Sequence, residues 1–336
     1  MALQIIAARK PFYNDQFDDE FNWWITIFVP IGIGSEQINL LVIKRSPTVG
    51  LNKPLRLNVS ALAEDYFNHI PVLTTPTTID SIAEGEYVGL NLMADGYDSV
   101  PFGQYRAYDG WVPFADTVVA VSNLNAKKFI FRDSPQYIQA RAETTNNIIW
   151  LLDDGQNQVT SRGSSGSSLI VFPVIHPNLN VDETNNNLTI IGRDVGNNEL
   201  WRVEYEFVCP YDEKHTIGFI NKYGAWEFID VSGNKKTMLK TKRDSFSRFT
   251  DGVEQAYGIN GNYEYEFNTG WVEKGFEDVI EGLMLSRDVV LYKGDGTDPI
   301  ALVIDENDID IQDSRTNKMI NYNFKAKVGA PVIPIT

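Results

Sequence analysis

Cysteine, histidine and positive charge are all scarce in this chain. One cysteine, Cys209, among 336 residues excludes an intramolecular disulfide framework. Its apolar flank in EYEFVCP predicts a buried thiol rather than a reactive one, and synthesis in a reducing cytosol fits. The three histidines, His69, His176 and His215, lie far apart and form no H-x-x-x-H pair, and none stands at a ligand spacing from Cys209. Neither a metal nor a histidine-based triad is therefore expected. Lys and Arg number 29 against 45 Asp and Glu, a formal charge of -16. Such a chain is repelled by nucleic acid and anionic lipid unless its basic residues cluster. The charge-free run 21–35 is too short for a membrane helix and holds Pro30, Gly32 and Gly34. The opening MALQIIAARK places its positive charges after the apolar stretch, the reverse of a secretory signal, so export by that route is not expected.

Ordinary globular composition is present instead, with 43% hydrophobic and 22% charged residues. The length favours two domains or one large all-β unit. Most segments alternate with period two and are rich in β-branched and aromatic residues, bounded by Gly, Asn, Asp and Pro. Strands are expected at 23–29, 38–45, 85–93, 127–133, 137–142, 147–152, 168–175, 187–193 and 200–208, then at 263–267, 289–292 and 300–304. This spacing predicts a mainly β fold of antiparallel sandwich- or barrel-like domains with one or two short helices. One helix is expected at Ser60–Phe67, capped by Ser60. The other is expected from about Val272 to Leu285, where Val272, Phe276, Val279, Ile280 and Leu283 form an apolar stripe despite Gly275 and Gly282. A boundary near CPYDEKH divides a β-rich domain, 1–209, from a second, 210–336.

In YEYEF, Tyr263, Tyr265 and Phe267 fall on one face and the two glutamates on the other. DIDIQ and MINYNFKAKV are expected to form a hairpin, with Ile309 and Ile311 against Ile320, Tyr322 and Phe324 inside. Outside, Glu306, Asp308 and Asp310 would face Asn321, Asn323 and Lys325. GFINKYGAWEFID at 218–230 is expected to be two strands joined at Gly224 with a positive φ. Strand parity would then join Ile217 and Phe219 to Trp226 and Phe228 in one apolar face.

Patterns that carry chemistry fail at identifiable positions. Gly163–Ser167 resembles a nucleophile elbow but has Ser167 where the second glycine must stand. DIDIQD at 308–313 has Asp313 and Met319 where a calcium loop needs glycine and glutamate. The acidic turn GDGTD, 294–298, and the acids Asp18, Asp19, Glu20, Asp95 and Asp98 read as solvated loops. No catalytic residue, cofactor or metal is assigned. The one basic concentration, 235–248, holds six of the 29 positive charges and one acid. Lys236, Lys240 and Lys242 share strand parity there, so they form either a stripe facing DNA or an acidic neighbour, or a lysine-guarded edge strand.

GFINKYGAWEFIDVSGNKKTMLKTKR, then NTGWVEKGFEDVIEGLMLSRDVVLY and the terminal Tyr- and Asn-rich segment, resembles structural proteins of tailed phages of Bacteroidota, including crAss-like phages. The shared order is an F-x-N-x-x-G-x-x-D/E turn, a basic strand, an N-x-x-W helix and a terminal hairpin. LRLNVSALAEDYF and FIFRDSPQYIQARAETTNNIIWLL are similar to segments of the same group. The resemblance implies a non-enzymatic virion protein of the neck or tail, assembled in the host cytoplasm. It would form a homo-oligomeric ring or hub with other virion proteins around the passage of genomic DNA, with no membrane anchor. Interface residues then matter most, and Trp23, Trp24 and Trp111 are the aromatic candidates, beside Lys236, Lys240 and Lys242. The segments before Phe12 and at GAPVIPIT are candidate assembly arms by strand addition. Seven tryptophans and fifteen tyrosines also suit a tail-tip receptor- or carbohydrate-binding sandwich, with Tyr97, Tyr105 and Tyr108 as its aromatics.

Overall fold

The structure is a computed structural model. It describes the backbone of the strands named below and the side chains of most residues in 128–131, 134–138, 186–209, 214–250, 252–273, 276–292, 299–305 and 319–329. In chain order the first strands are β1 (Gln4–Ala7), β2 (Tyr13–Phe17), β3 (Trp23–Ile31), β4 (Gly34–Ile43), β5 (Leu55–Asn58), β6 (Asp80–Ile82), β7 (Tyr87–Ala94), β8 (Gly103–Tyr108) and β9 (Val119–Ala120). Next come β10 (Lys127–Ile130), β11 (Tyr137–Arg141), β12 (Ile148–Asp153), β13 (Gln158–Gly163), β14 (Leu169–Pro173), β15 (Asn187–Arg193) and β16 (Glu199–Phe207). The last are β17 (His215–Ile220), β18 (Trp226–Val231), β19 (Lys236–Ser247), β20 (Glu254–Glu273), β21 (Val289–Tyr292), β22 (Ile300–Ile304) and β23 (Met319–Val328), with one helix, Glu277–Met284, after β20.

The fold is mainly β, as the alternation predicts. Its sheets run β1-β8-β7-β3-β4, β10-β16-β15-β12-β13, β6-β14-β11-β9, β2-β5 and β18-β17-β21-β22-β23-β20-β19. The expectation of purely antiparallel sheets is corrected at two places, because β1 runs parallel to β8 and β10 parallel to β16. Parallel neighbours cannot be joined by a tight hairpin, so each pair is made by segments distant in sequence. The expected strands at 187–193, 289–292 and 300–304 match β15, β21 and β22 residue for residue.

The seven-stranded sheet is buried on one face against the helix. Ile217, Phe219, Ile229, Val231, Phe267, Leu291, Leu302 and Phe324 pack there with Val279 and Leu283 of the helix, and Phe267 stacks on Phe324 with ring centroids 5.4 Å apart. Burying each such aliphatic or aromatic side chain contributes roughly 1.5–3 kcal/mol. On the opposite face Trp226, Phe228, Val290 and Tyr292 pack against Tyr137 of β11, whose ring meets Phe228 edge-on at 4.5 Å. That face is apolar only beneath this cover. Beyond it, on β19, β20 and β23, the same parity carries Lys, Glu and Asn.

Three expectations change. The helix begins at Glu277, not at Val272, because β20 continues to Glu273 and pairs Val272 with Ile320 of β23. Val279, Ile280 and Leu283 of the stripe are buried on the helix and Phe276 is partly buried, but Val272 is buried from a strand, and Gly282 allows the helix to lie against the Phe219 ring. The faces of the 218–230 hairpin also differ from the parity argument. The register sets Ile217 opposite Ile229, and Gly218 opposite Phe228, so Ile217 and Phe219 share a face with Ile229 while Trp226 and Phe228 point the other way. Both faces read as apolar because both are covered. In YEYEF the faces separate as expected, but Glu264 is buried and Tyr263 is substantially exposed, since Tyr263 lies where β20 has left the shelter of β23.

Ile320, Tyr322 and Phe324 are buried, as expected of the inner face of the last strand. Lys325 and Lys327 stand opposite Glu266 and Glu264 of β20, and Lys327 donates to Asp305 at 2.8 Å. Ile309, Ile311, Glu306, Asp308 and Asp310 lie outside the described residues, as do Ser60–Phe67, GDGTD and residues 164–168.

The end of β18 approaches β20 through a backbone bond, with the Gly233 amide donating to the Asn268 carbonyl at 3.2 Å. A Cβ at position 233 would stand 2.6 Å from that carbonyl oxygen and 2.5 Å from the Asn268 side chain. The contact therefore requires glycine. Gly233→Ala is expected to lower stability by about 1–3 kcal/mol in urea unfolding, whereas an unchanged midpoint would show that β18 and β20 do not meet here.

Candidate functional site

Two short polar motifs organise the C-terminal sheet. In the turn after β17, the Asn221 Oδ1 atom accepts from the amides of Tyr223 and Ala225 at 3.0 and 3.2 Å, and Gly224 takes φ 77° as expected. The side-chain amide of Asn221 donates to Glu227 at 3.2 Å. Phe219, Asn221, Gly224 and Glu227 of the F-x-N-x-x-G-x-x-E motif are thus a core anchor, a turn organiser, a left-handed residue and a carboxylate. That carboxylate is buried with Lys128, whose ammonium donates at 2.8 Å.

Next to it, Asp230 accepts from the Phe131 amide at 2.7 Å, from Ser134 at 2.8 Å and from Thr216 at 2.6 Å. Burial nevertheless pushes its carboxyl up to about 6, desolvation outweighing the three donors. Tyr205 of β16 is raised too, by its burial and then by the charges of Glu227 and Asp230. This polar cluster ties β10, and the segment leading to β11, onto β18.

The second motif is Asn268-Thr269-Gly270-Trp271. The resemblance implies that it opens a helix, but it lies in β20, where it forms a bulge in the pairing with β23. The Asn268 Oδ1 atom accepts from the Gly270 amide at 2.8 Å, its side-chain amide donates to Asn323 at 2.7 Å, and the Thr269 hydroxyl accepts from the Tyr322 amide at 3.0 Å. These bonds replace the ladder bonds that the bulge interrupts, and a bulge re-aims side chains. Trp271 emerges 66% exposed opposite Asn321. It lines a cavity of about 750 Å³ together with Asn234, Lys236, Glu266, Asn268, Asn321, Asn323, Asp230 and the apolar Phe129, Phe131 and Phe267.

The third feature is the outer edge. β19 is the last strand of the sheet and is exposed along most of its length. Of the basic stripe, Lys236 lies 3.9 Å from Glu266 and Lys240 pairs with Glu264 of the neighbouring strand. The Glu264 carboxylate, first through this hydrogen bond, holds the Lys240 ammonium above its usual value. Lys242 stands opposite Asn260. Such lysines guard an edge against indiscriminate strand addition. β20 pairs with β23 only from Glu264 onward, whereas β19 and β20 stay paired out to Ser247 and Glu254. The hairpin therefore continues for about 27 Å as a two-stranded ribbon, at roughly 3.4 Å per residue. Leu239, Phe246, Phe249, Val253 and Tyr263 are exposed on it.

Of the other candidates, Trp23 and Trp24 begin β3, and Tyr105 and Tyr108 lie in β8; their side chains, like Trp111 and Tyr97, are outside the described residues. His215 is buried beside Phe267, while His69 and His176 lie outside them. Cys209 is exposed, contrary to the expected burial, because the inward alternation of Val203, Tyr205 and Phe207 stops with β16. Among the described residues no cluster of His, Cys, Asp and Glu could hold a metal ion, and no helix is long and apolar enough to cross a membrane. Sequence patterning does not single out Trp271 or the ribbon tip, since neither a bulge nor the end of a ladder is visible in alternation. No family model, curated protein or solved structure matches the chain.

A carboxyl with a raised folded-state value binds more protons folded than unfolded between the two values. Asp230 thus favours folding most near pH 4 and disfavours it increasingly as pH rises through about 6. Urea unfolding of the wild type and Asp230→Asn from pH 4 to 7 should show the wild type losing stability relative to the variant, by roughly 1.4 kcal/mol for each pH unit until the folded-state carboxyl has ionised. A constant difference across that range would contradict the assignment.

Proposed function

We propose that this chain is a non-enzymatic structural protein of the neck or tail of a tailed phage of Bacteroidota, forming an oligomeric ring or hub that joins portal and tail around the DNA channel. The observation that carries this reading is the β19–β20 ribbon. A two-stranded ribbon gains little stability alone in water, and this one bears Phe246, Phe249 and Val253 exposed. Such a feature is expected where another surface completes it. A head-to-tail contact, in which a ribbon on one copy meets a different surface on the next, generates a ring when the rotation closes.

Charge favours a second copy as that surface. The stretch 235–248 has six cations and one acid in a chain whose formal charge is -16, so its basic edge finds complementary charge on the body of an identical neighbour. The bond from Gly233 to Asn268 supports, within each copy, a sheet that curls toward a barrel. The two resemblance motifs serve architecture in this reading, since Asn221 and Asn268 both bond to backbone amides of their own turns.

Native mass spectrometry is expected to find oligomers of the purified protein, and proteomics to find it in virions. Phe249→Glu combined with Val253→Glu should weaken association by about tenfold or more without lowering the unfolding midpoint, because both side chains are exposed. A protein monomeric at every concentration and missing from particles would overturn the proposal.

A further inference from the structure

We infer that the cavity beside Trp271 is a binding site for a neutral, hydroxyl-rich ligand, a short stretch of glycan. Its volume, about 750 Å³, lies within the range of small-molecule sites. The bulge presents the Trp271 ring to solvent, leaving an apolar face on which the C–H face of a pyranose can stack.

The groups around that ring are amides, which both donate and accept, as sugar hydroxyls do. Asn321 is directly opposite Trp271 on the ladder, and its Oδ1 atom is buried and accepts no hydrogen bond. Asn323 uses its oxygen to receive Asn268, which leaves its amide hydrogens to donate elsewhere. Asn234 also lines the cavity.

The charged groups in the lining are already matched. Lys128 is paired with Glu227, Lys236 lies near Glu266, and Asp230 receives three donors. Nothing in the site calls for a charged ligand. An apolar peptide laid over the same surface would leave the Asn321 oxygen unpaired, whereas a donor that reaches it satisfies an acceptor the fold leaves without a partner. A hydroxyl at that position would donate to it. The chemistry thus favours a saccharide over an apolar segment, whether or not copies join through the ribbon.

The test is a titration of the full chain with maltotriose, cellotriose and mannotriose, followed by saturation-transfer NMR and tryptophan fluorescence. At least one is expected to bind saturably. Trp271→Ala and Asn321→Leu should each weaken that binding by about tenfold or more, while Trp271→Phe, which keeps a ring, retains most of it. The unfolding midpoint of Trp271→Ala should match the wild type, since the side chain is exposed. The inference is overturned if none of the three sugars binds, if Trp271→Ala and Asn321→Leu bind them as the wild type does, or if Asn321→Leu instead gains affinity for an apolar peptide.

Discussion

The ion pair between Lys128 and Glu227 is the constraint on which the described half of this protein turns. Two charges removed from water cost several kcal/mol each, and attraction offsets that only when the geometry is good and the remaining polar atoms are satisfied. Here the distance is 2.8 Å and Asn221 satisfies the second carboxylate oxygen. Because Asn221 also organises the preceding turn, the strand register, the turn and the ion pair specify one another. A slip of one residue in β18 would carry Glu227 to the opposite face and strand Lys128. The pair therefore acts more as a register lock than as a source of net stability, and with Asp230 it fixes Lys128, Phe131 and Ser134 against the sheet.

From that lock outward, the sheet divides by what covers it. Where β11 lies over β17, β18 and β21, both faces are apolar, and Tyr137, Phe228 and Tyr292 form a chain of ring contacts. Where the cover ends, the same face turns to Asn, Glu and Lys, and the bulge at Asn268–Trp271 re-aims an indole outward. Strand β20 bridges both regimes over its 20 residues. Its C-terminal half is held between two strands and packs the core, whereas among the described residues its N-terminal half has only β19 as a partner.

Alternation makes some of this legible and leaves the rest hidden, for physical reasons. Segments buried on both faces, such as VVLY, show as apolar runs with sharp ends, and β21 and β22 are readable to the residue. The stripe from Val272 to Leu283 reads as continuous helix because helical spacing also describes a strand end followed by a short helix packed on one core. Parity across the 218–230 turn misleads because burial on both faces erases the alternation that would reveal register. The lysine-guarded edge is among the readings of 235–248, since alternate lysines on a strand are a local signal. Trp271 is invisible as a site, because its exposure depends on a bulge held by Asn268 and Thr269 and on the distant Tyr322 and Asn323.

The proposal that the β19 edge meets another copy is tested most directly by hydrogen exchange along residues 236–247, comparing dilute and concentrated protein. Unpaired amides of an edge strand exchange readily, and those covered by a partner are protected. The outward amides of β19 and the tip around Phe249 are expected to gain protection on assembly, while the buried amides of β17 stay protected throughout. Equal exchange of β19 in the two states, with protection gained elsewhere, would contradict this role for the edge.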